Sequence, residues 1–244
     1  GIRKVCQNKD VTVIDFNKGL NINQDNFASY YVDSIHPNSQ LQLMAANYLN
    51  AYLGEDKGAE EAMQGFVERL YTNCLGRTSD AEGLRHWVNL LEKKDITGAE
   101  VAYGFFFSKE FTNKNVDDGQ YVELLYQTLM DRSSDKSGYD YWVDLLKNGV
   151  SRERVFIGFC YSKEFDQICK DYGIERGEVN LTAPRDQNVG LTQFVARLYT
   201  KALERSYDLD GLNYWCNEIL TGKQTITNVS TNGFFHSQEF INKN

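Results

Sequence analysis

The feature that most constrains this chain is that it repeats itself. Phe66-Val-Glu-Arg-Leu-Tyr71 returns as Tyr121-Val-Glu-Leu-Leu-Tyr126 and as Phe194-Val-Ala-Arg-Leu-Tyr199. Counted from the first residue of each copy, an arginine stands at +11 (Arg77, Arg132, Arg205) and an aspartate at +14 (Asp80, Asp135, Asp208). A glycine follows at +17 (Gly83, Gly138, Gly211) and a tryptophan at +21 (Trp87, Trp142, Trp215). Each copy closes alike, as Gly104-Phe-Phe-Phe-Ser-Lys-Glu-Phe111, Gly158-Phe-Cys-Tyr-Ser-Lys-Glu-Phe165 and Gly233-Phe-Phe-His-Ser-Gln-Glu-Phe240. A sequence that repeats in this way folds as stacked units, because one unit cannot bury its apolar face alone and shares a core with its neighbours.

Within a unit the apolar spacing is helical. Phe66, Val67, Leu70 and Tyr71 share one helix face, as do Leu84, Trp87, Val88 and Leu91. Gly76-Arg-Thr-Ser79 makes the turn between them, and a third helix covers about Gly98 to Phe107. Asp80, Asp135 and Asp208 suit helix N-caps, Ser79 and Glu82 have capping-box spacing, and Ser108, Ser162 and Ser237 are placed to cap a last short turn. The expected fold is mainly α: a tandem array of three helical units with a short N-terminal strand-loop-helix remnant. The expected boundaries are residues 59–118, 119–170 and 191–244 for the units, with 171–190 as a linker and hinge candidate and 1–55 as a separate segment. Both prolines, Pro37 and Pro184, fall outside the helical repeats.

Charge and hydropathy exclude two partner classes. The net charge is −8 and no basic run exceeds two residues, so the chain lacks the footprint that binds nucleic acid. No stretch approaches the roughly 20 apolar residues needed to cross a bilayer. The chain opens on Gly1 instead of methionine, which leads us to expect a processed or trimmed product.

The repeated landmarks resemble domain-of-unknown-function family 4214, a helical repeat of bacterial surface and extracellular proteins, and are similar to the helical phycobilisome linker fold. That resemblance implies an all-α module of the cell envelope or exterior and assigns no activity. The N-terminal segment resembles something else. Val11-Thr-Val-Ile-Asp-Phe16 reads as a buried strand, followed by Asp33-Ser-Ile-His36-Pro37-Asn38 and the helical stretch Gln40 to Leu53. This order is similar to the C-terminal end of SGNH (GDSL-type) hydrolases, where the histidine is general base for a serine and the aspartate orients it. The resemblance assigns those roles to His36 and Asp33 and finds no nucleophile block in the chain, so they are catalytic only if the serine lies elsewhere.

The other constellations have plainer readings. Cys74, Cys160 and Cys216 occupy positions that are apolar in sister units, which reads as buried thiols, while Cys6 and Cys169 have no such parallel. No metal site is expected, since the histidines are scattered and Asp208-Leu-Asp210-Gly211 reads as a helix cap before it reads as a calcium loop. No cofactor is expected either. The recurring arginines and Glu110, Glu164 and Glu239 suggest an ion pair inside each unit, buried enough that its loss costs about 3–5 kcal/mol. The tryptophans lie on the apolar stripe, so Tyr103, Tyr139, Tyr161, Tyr207 and Tyr214 are the better ligand candidates. The functional expectation is a non-catalytic accessory module at the cell surface, binding a glycan, cell-wall polymer or surface protein, or serving as a spacer. The alternative is an SGNH-type esterase completed by a missing serine.

Overall fold

A computed structural model describes residues 39–243, with some side chains of the first helix left undescribed up to residue 57. By contacts the chain divides into two units, Gly1–Glu61 and Ala62–Asn244. The expected strand Val11–Phe16, the Asp33/His36 pair and Cys6 lie outside the described residues. Helix α1 runs Ser39–Arg69. All regular structure among the described residues is helical.

Three similar helical runs follow. The first leaves α1 through a π-helical turn, Leu70–Leu75, and continues as α2 (Ala81–Glu92), α3 (Gly98–Phe106) and the short α4 (Lys109–Thr112). The second is α5 (Asp118–Leu129), α6 (Lys136–Lys147), α7 (Arg152–Cys160) and α8 (Lys163–Asp171). The third is α9 (Val189–Arg197) with the π-helical turn Leu198–Ala202, α10 (Leu209–Leu220), α11 (Ile226–Asn228) with the π-helical turn Val229–Phe235, and α12 (Gln238–Lys243).

The helix starts explain why the same residues recur. Asp80, Asp135 and Asp208 accept the backbone N–H groups of Gly83, Gly138 and Gly211 at 2.8, 2.9 and 2.7 Å, the N-cap geometry. Each such cap is worth about 1 kcal/mol. The Ser79/Glu82 capping box does not form, because Asp80 already caps the helix and the Ser79 N–H donates to Glu68 at 3.1 Å. Capping boxes close instead at Thr97/Glu100 and Asp117/Gln120. Ser108, Ser162 and Ser237 accept from the N–H groups of Phe111, Phe165 and Phe240 and so open each last turn.

The closing Gly-Phe-Phe-Phe segment of the first run also begins the packing of the second. Phe106 and Phe111 both meet the Tyr121 ring on α5, at 5.9 and 6.2 Å between centroids, and Phe106 meets Phe156 at 5.7 Å. Tyr121 is fully buried, and its hydroxyl donates to the Arg152 carbonyl at 2.9 Å. The first two runs therefore share one continuous core, whereas Val195, Leu212, Cys216 and Phe234 belong to a separate cluster in the third.

The connection between the second and third runs departs from the hinge expectation. Helix α8 extends to Asp171, and the carbonyls of Glu175 and Arg176 then accept the N–H groups of Gly98 and Ala99, both at 2.8 Å. Two otherwise orphaned donors at the start of α3 are satisfied in this way. Ile174 is buried, and Asp186, in the 3-10 turn Pro184–Asp186, accepts the Ser151 hydroxyl. The segment is bonded to the array along its length, which a free hinge is not.

Candidate functional site

Each run builds the same corner from the recurring residues. Arg77 donates from Nε and Nη2 to the two carboxylate oxygens of Glu110 at 2.6 and 3.0 Å. Arg132 does the same to Glu164 at 2.7 and 3.1 Å, and Arg205 to Glu239 at 2.5 and 3.2 Å. This is the bidentate fork that makes arginine a specific carboxylate partner. The remaining Nη1 of each donates to the next residue's carbonyl, of Thr78, Ser133 and Ser206. Each guanidinium also lies over a buried tyrosine ring, Tyr71, Tyr126 or Tyr199, at 4.8, 4.9 and 4.8 Å. The pairs are not buried: Arg132 and Glu164 keep 42% and 41% of their side-chain surface in solvent. The large cost of breaking a buried pair does not apply to them.

The glycines of each unit are set by the aromatic rings beside them. A Cβ added at Gly83, Gly138 or Gly211 would lie 2.3, 2.1 or 2.3 Å from the hydroxyl of Tyr71, Tyr126 or Tyr199. Only a residue without a side chain leaves room for the phenol at that point. The indole N–H of Trp87, Trp142 or Trp215 lies on the hydroxyl's side and favours its ionised form, against the larger effect of burial. The far end of each indole rests over the closing glycine, so that a Cβ at Gly158 would lie 2.4 Å from the Trp142 ring and one at Gly233 3.0 Å from Trp215.

Electrostatics fix the protonation of these groups around neutral pH. Burial pushes the Tyr71, Tyr126 and Tyr199 hydroxyls up. Hydrogen bonds from Arg77 and Arg205 hold the Glu110 and Glu239 carboxyls below the usual carboxylate range. Burial likewise raises the Cys74 and Cys169 thiols to about 12.

What each corner offers to solvent is an aromatic edge. The residue before each tryptophan is His86, Tyr141 or Tyr214, all exposed. Their rings meet the indoles edge-on at 5.2, 4.9 and 4.9 Å between centroids. Tyr141 and Tyr214 keep 56% and 54% of their surface in solvent. The tryptophans themselves are half-buried and pack on Phe105, Phe159 and Phe234. In the first unit Tyr71, Arg77, Trp87, Gly104 and Glu110 line a cleft of about 160 Å³. In the second a cleft of about 240 Å³ opens beside Tyr141, Trp142 and Gly158.

Of the tyrosines singled out in the sequence, Tyr161 and Tyr214 are exposed, while Tyr103, Tyr139 and Tyr207 are partly buried against the cores. His86 and Tyr141 were missed, although their signal is simple: both precede a recurring tryptophan on a helix whose next residue must face inward. Asp33 and His36 lie outside the described residues. Among the described residues no three His, Cys, Asp or Glu side chains gather to hold a metal ion, and no helix is long and apolar enough to cross a membrane.

A cleft of about 550 Å³ lies where Phe106, Tyr121 and Arg152 of the first two runs meet Arg185 of the connection and Tyr207 of the third run. Its charges largely satisfy one another. Arg152 donates twice to Asp118, at 3.0 and 2.7 Å, and to the Val116 carbonyl at 2.8 Å, while stacking on Tyr121. It is a joint between units.

The family model described as "Domain of unknown function (DUF4214)" matches residues 47–115, 104–169 and 183–244. The chain belongs to the DUF4214 family. The first two DUF4214 matches overlap at 104–115, the closing segment whose Phe105, Phe106 and Phe111 lie in the core that the first two runs share. No curated protein and no solved structure matches the chain.

Proposed function

We propose that this DUF4214 array is a non-catalytic binding module that works outside the cytoplasm and grips a saccharide polymer through its exposed rings. One observation carries the reading: the same exposed ring, braced edge-on by a half-buried tryptophan over a glycine, recurs as His86/Trp87, Tyr141/Trp142 and Tyr214/Trp215. A core needs the tryptophan and the glycine. It has less use for a ring held more than half in solvent beside them, where the side chain gains little from folding beyond its edge-on contact with the indole. A rigid amphipathic ring loses little conformational freedom when a partner stacks on it, which is why such rings favour contact surfaces. Three weak sites on one chain add up to avidity wherever a polymer spans them.

The test is isothermal titration of the purified chain against a panel of cell-wall and capsular polysaccharides. Replacing Tyr141 or Tyr214 by alanine should weaken binding about 2- to 12-fold each, from roughly 0.5–1.5 kcal/mol of aromatic contact, while the lost edge-on contact with the indole lowers the melting temperature by no more than about 6 °C. Full affinity in the triple variant His86→Ala, Tyr141→Ala, Tyr214→Ala would sink the reading. Cell fractionation of the native source with an antibody to the chain tests the location, and recovery in the cytoplasm would refute it.

A further inference from the structure

The second unit's cleft differs from its sister sites in one charge and one ring. Aligned on the closing glycine, Arg154 stands where the first unit has Glu100 and the third has Val229. Tyr161 stands where they have Phe107 and His236. Tyr141, Trp142, Arg154, Gly158 and Tyr161 line this cleft of about 240 Å³. That is below the roughly 300 Å³ at which pockets for drug-sized ligands begin, and suits one ring of a larger molecule.

Two of the rings are exposed and held in place. Tyr141 is braced by Trp142, while Tyr161 has Arg176 over its ring at 5.3 Å and donates its hydroxyl to the Val179 carbonyl at 3.4 Å. Arg154 is half-buried, and its side chain makes no ion pair and no hydrogen bond among the described residues. The acids near it make their contacts elsewhere, although the Arg154 charge reaches Asp186 and acts there against the burial that raises its pKa. Glu153 faces Arg185 at 3.9 Å, and Asp186 accepts from Ser151. In a chain with net charge −8, where the corner arginines are each paired with a carboxylate, this guanidinium has none in contact. Arginine in a partly enclosed site is matched by a planar anion that takes two of its N–H groups at once.

We propose that the second unit's cleft binds a uronate residue of an acidic polysaccharide, with the sugar ring against Tyr141 and Trp142 and its carboxylate on Arg154. The assignment rests on the binding-module reading above and adds the ligand class. It also makes the second unit the one that selects, while the first and third supply ring contacts without a free cation at the matching position.

Titration of the full chain with galacturonate oligomers and with their methyl esters, in the same low-salt buffer, tests it. The wild type should bind the acid form more tightly. Arg154→Gln should remove that preference by lowering acid-form affinity at least about tenfold, the worth of a charge-assisted hydrogen bond, and leave the ester unchanged. Arg154→Lys should keep part of the preference, and Tyr141→Ala should weaken both ligands. Equal binding of acid and ester by the wild type, or an unchanged preference in Arg154→Gln, would overturn the uronate assignment while the binding module stands. So would polyglutamate binding that needs Arg154 and ignores Tyr141, since it would point to an acidic peptide. Binding of neither form, nor of any polysaccharide on the wider panel, would remove both readings together.

Discussion

The pairing of a tyrosine hydroxyl with a missing side chain can be tested by a cycle of two substitutions in the second unit. Gly138 is the third residue of α6, and a Cβ built there would lie 2.1 Å from the Tyr126 hydroxyl but 3.2 Å from the ring carbon that bears it. Gly138→Ala on its own brings two opposing effects. Alanine in a helix is favoured over glycine by about 0.5–1 kcal/mol. Forcing a methyl into occupied space costs about 1–3 kcal/mol, since Tyr126 is buried against Phe159 and cannot retreat freely. The net is a loss of roughly 0.5–2 kcal/mol, and at about 2–4 °C per kcal/mol for a chain of this size the melting temperature should fall by several degrees. Tyr126→Phe alone removes a half-screened hydroxyl that makes no hydrogen bond to another of the described residues, and should cost no more than about 1 kcal/mol. In the Tyr126→Phe background the clashing oxygen is gone, so Gly138→Ala should become neutral or stabilising. The coupling energy read from urea denaturation of the four proteins should be about 1–3 kcal/mol. Additive effects, with Gly138→Ala equally harmful in the wild type and in Tyr126→Phe, would refute the argument that the phenol is what keeps this position glycine.

Further outcomes follow from the same geometry. Arg132→Ala should cost no more than about 2 kcal/mol, because an exposed pair contributes about 0–1 kcal/mol and an exposed cation over a ring about 0.5–1; a loss of about 3–5 kcal/mol by urea denaturation would show that the pair behaves as a buried one. Asp186 is pushed up by burial, so the folded chain holds this proton more tightly than the unfolded chain and stability from this residue falls as pH rises through the window just above the ordinary carboxylate range. Asp186→Asn should therefore flatten the pH dependence of the melting temperature in that window, while the Ser151 hydroxyl keeps an oxygen to donate to; an unchanged profile would contradict this. The buried thiols Cys74 and Cys169, raised to about 12, should resist a thiol reagent at pH 8 and label only as the chain unfolds, and fast labelling of the native protein at either site, mapped by mass spectrometry, would count against the packing.

The sequence by itself determined that this is a helical array, because helix periodicity and repetition are local properties that any reader of spacing can count. It also marked the helix starts: an aspartate three residues before a glycine acts through its own backbone neighbours, so no distant partner is needed to predict Asp80, Asp135 and Asp208 as caps. Even here proximity misled once, since Ser79 loses the cap to Asp80 and its N–H goes to Glu68, eleven residues back. The recurrence of arginine and glutamate hinted at a pair, but only the tertiary structure decided how much water reaches it, and with that its energetic weight. The same holds for the rings. Tyr141 and Trp142 are neighbours in sequence with like chemistry, yet a helix sets successive residues about 100° apart around its axis, so one turns toward the core and the other toward solvent. Which side chain meets Gly138, and that Arg154 finds no carboxylate in contact, depend on segments that packing brings together from well apart in the chain.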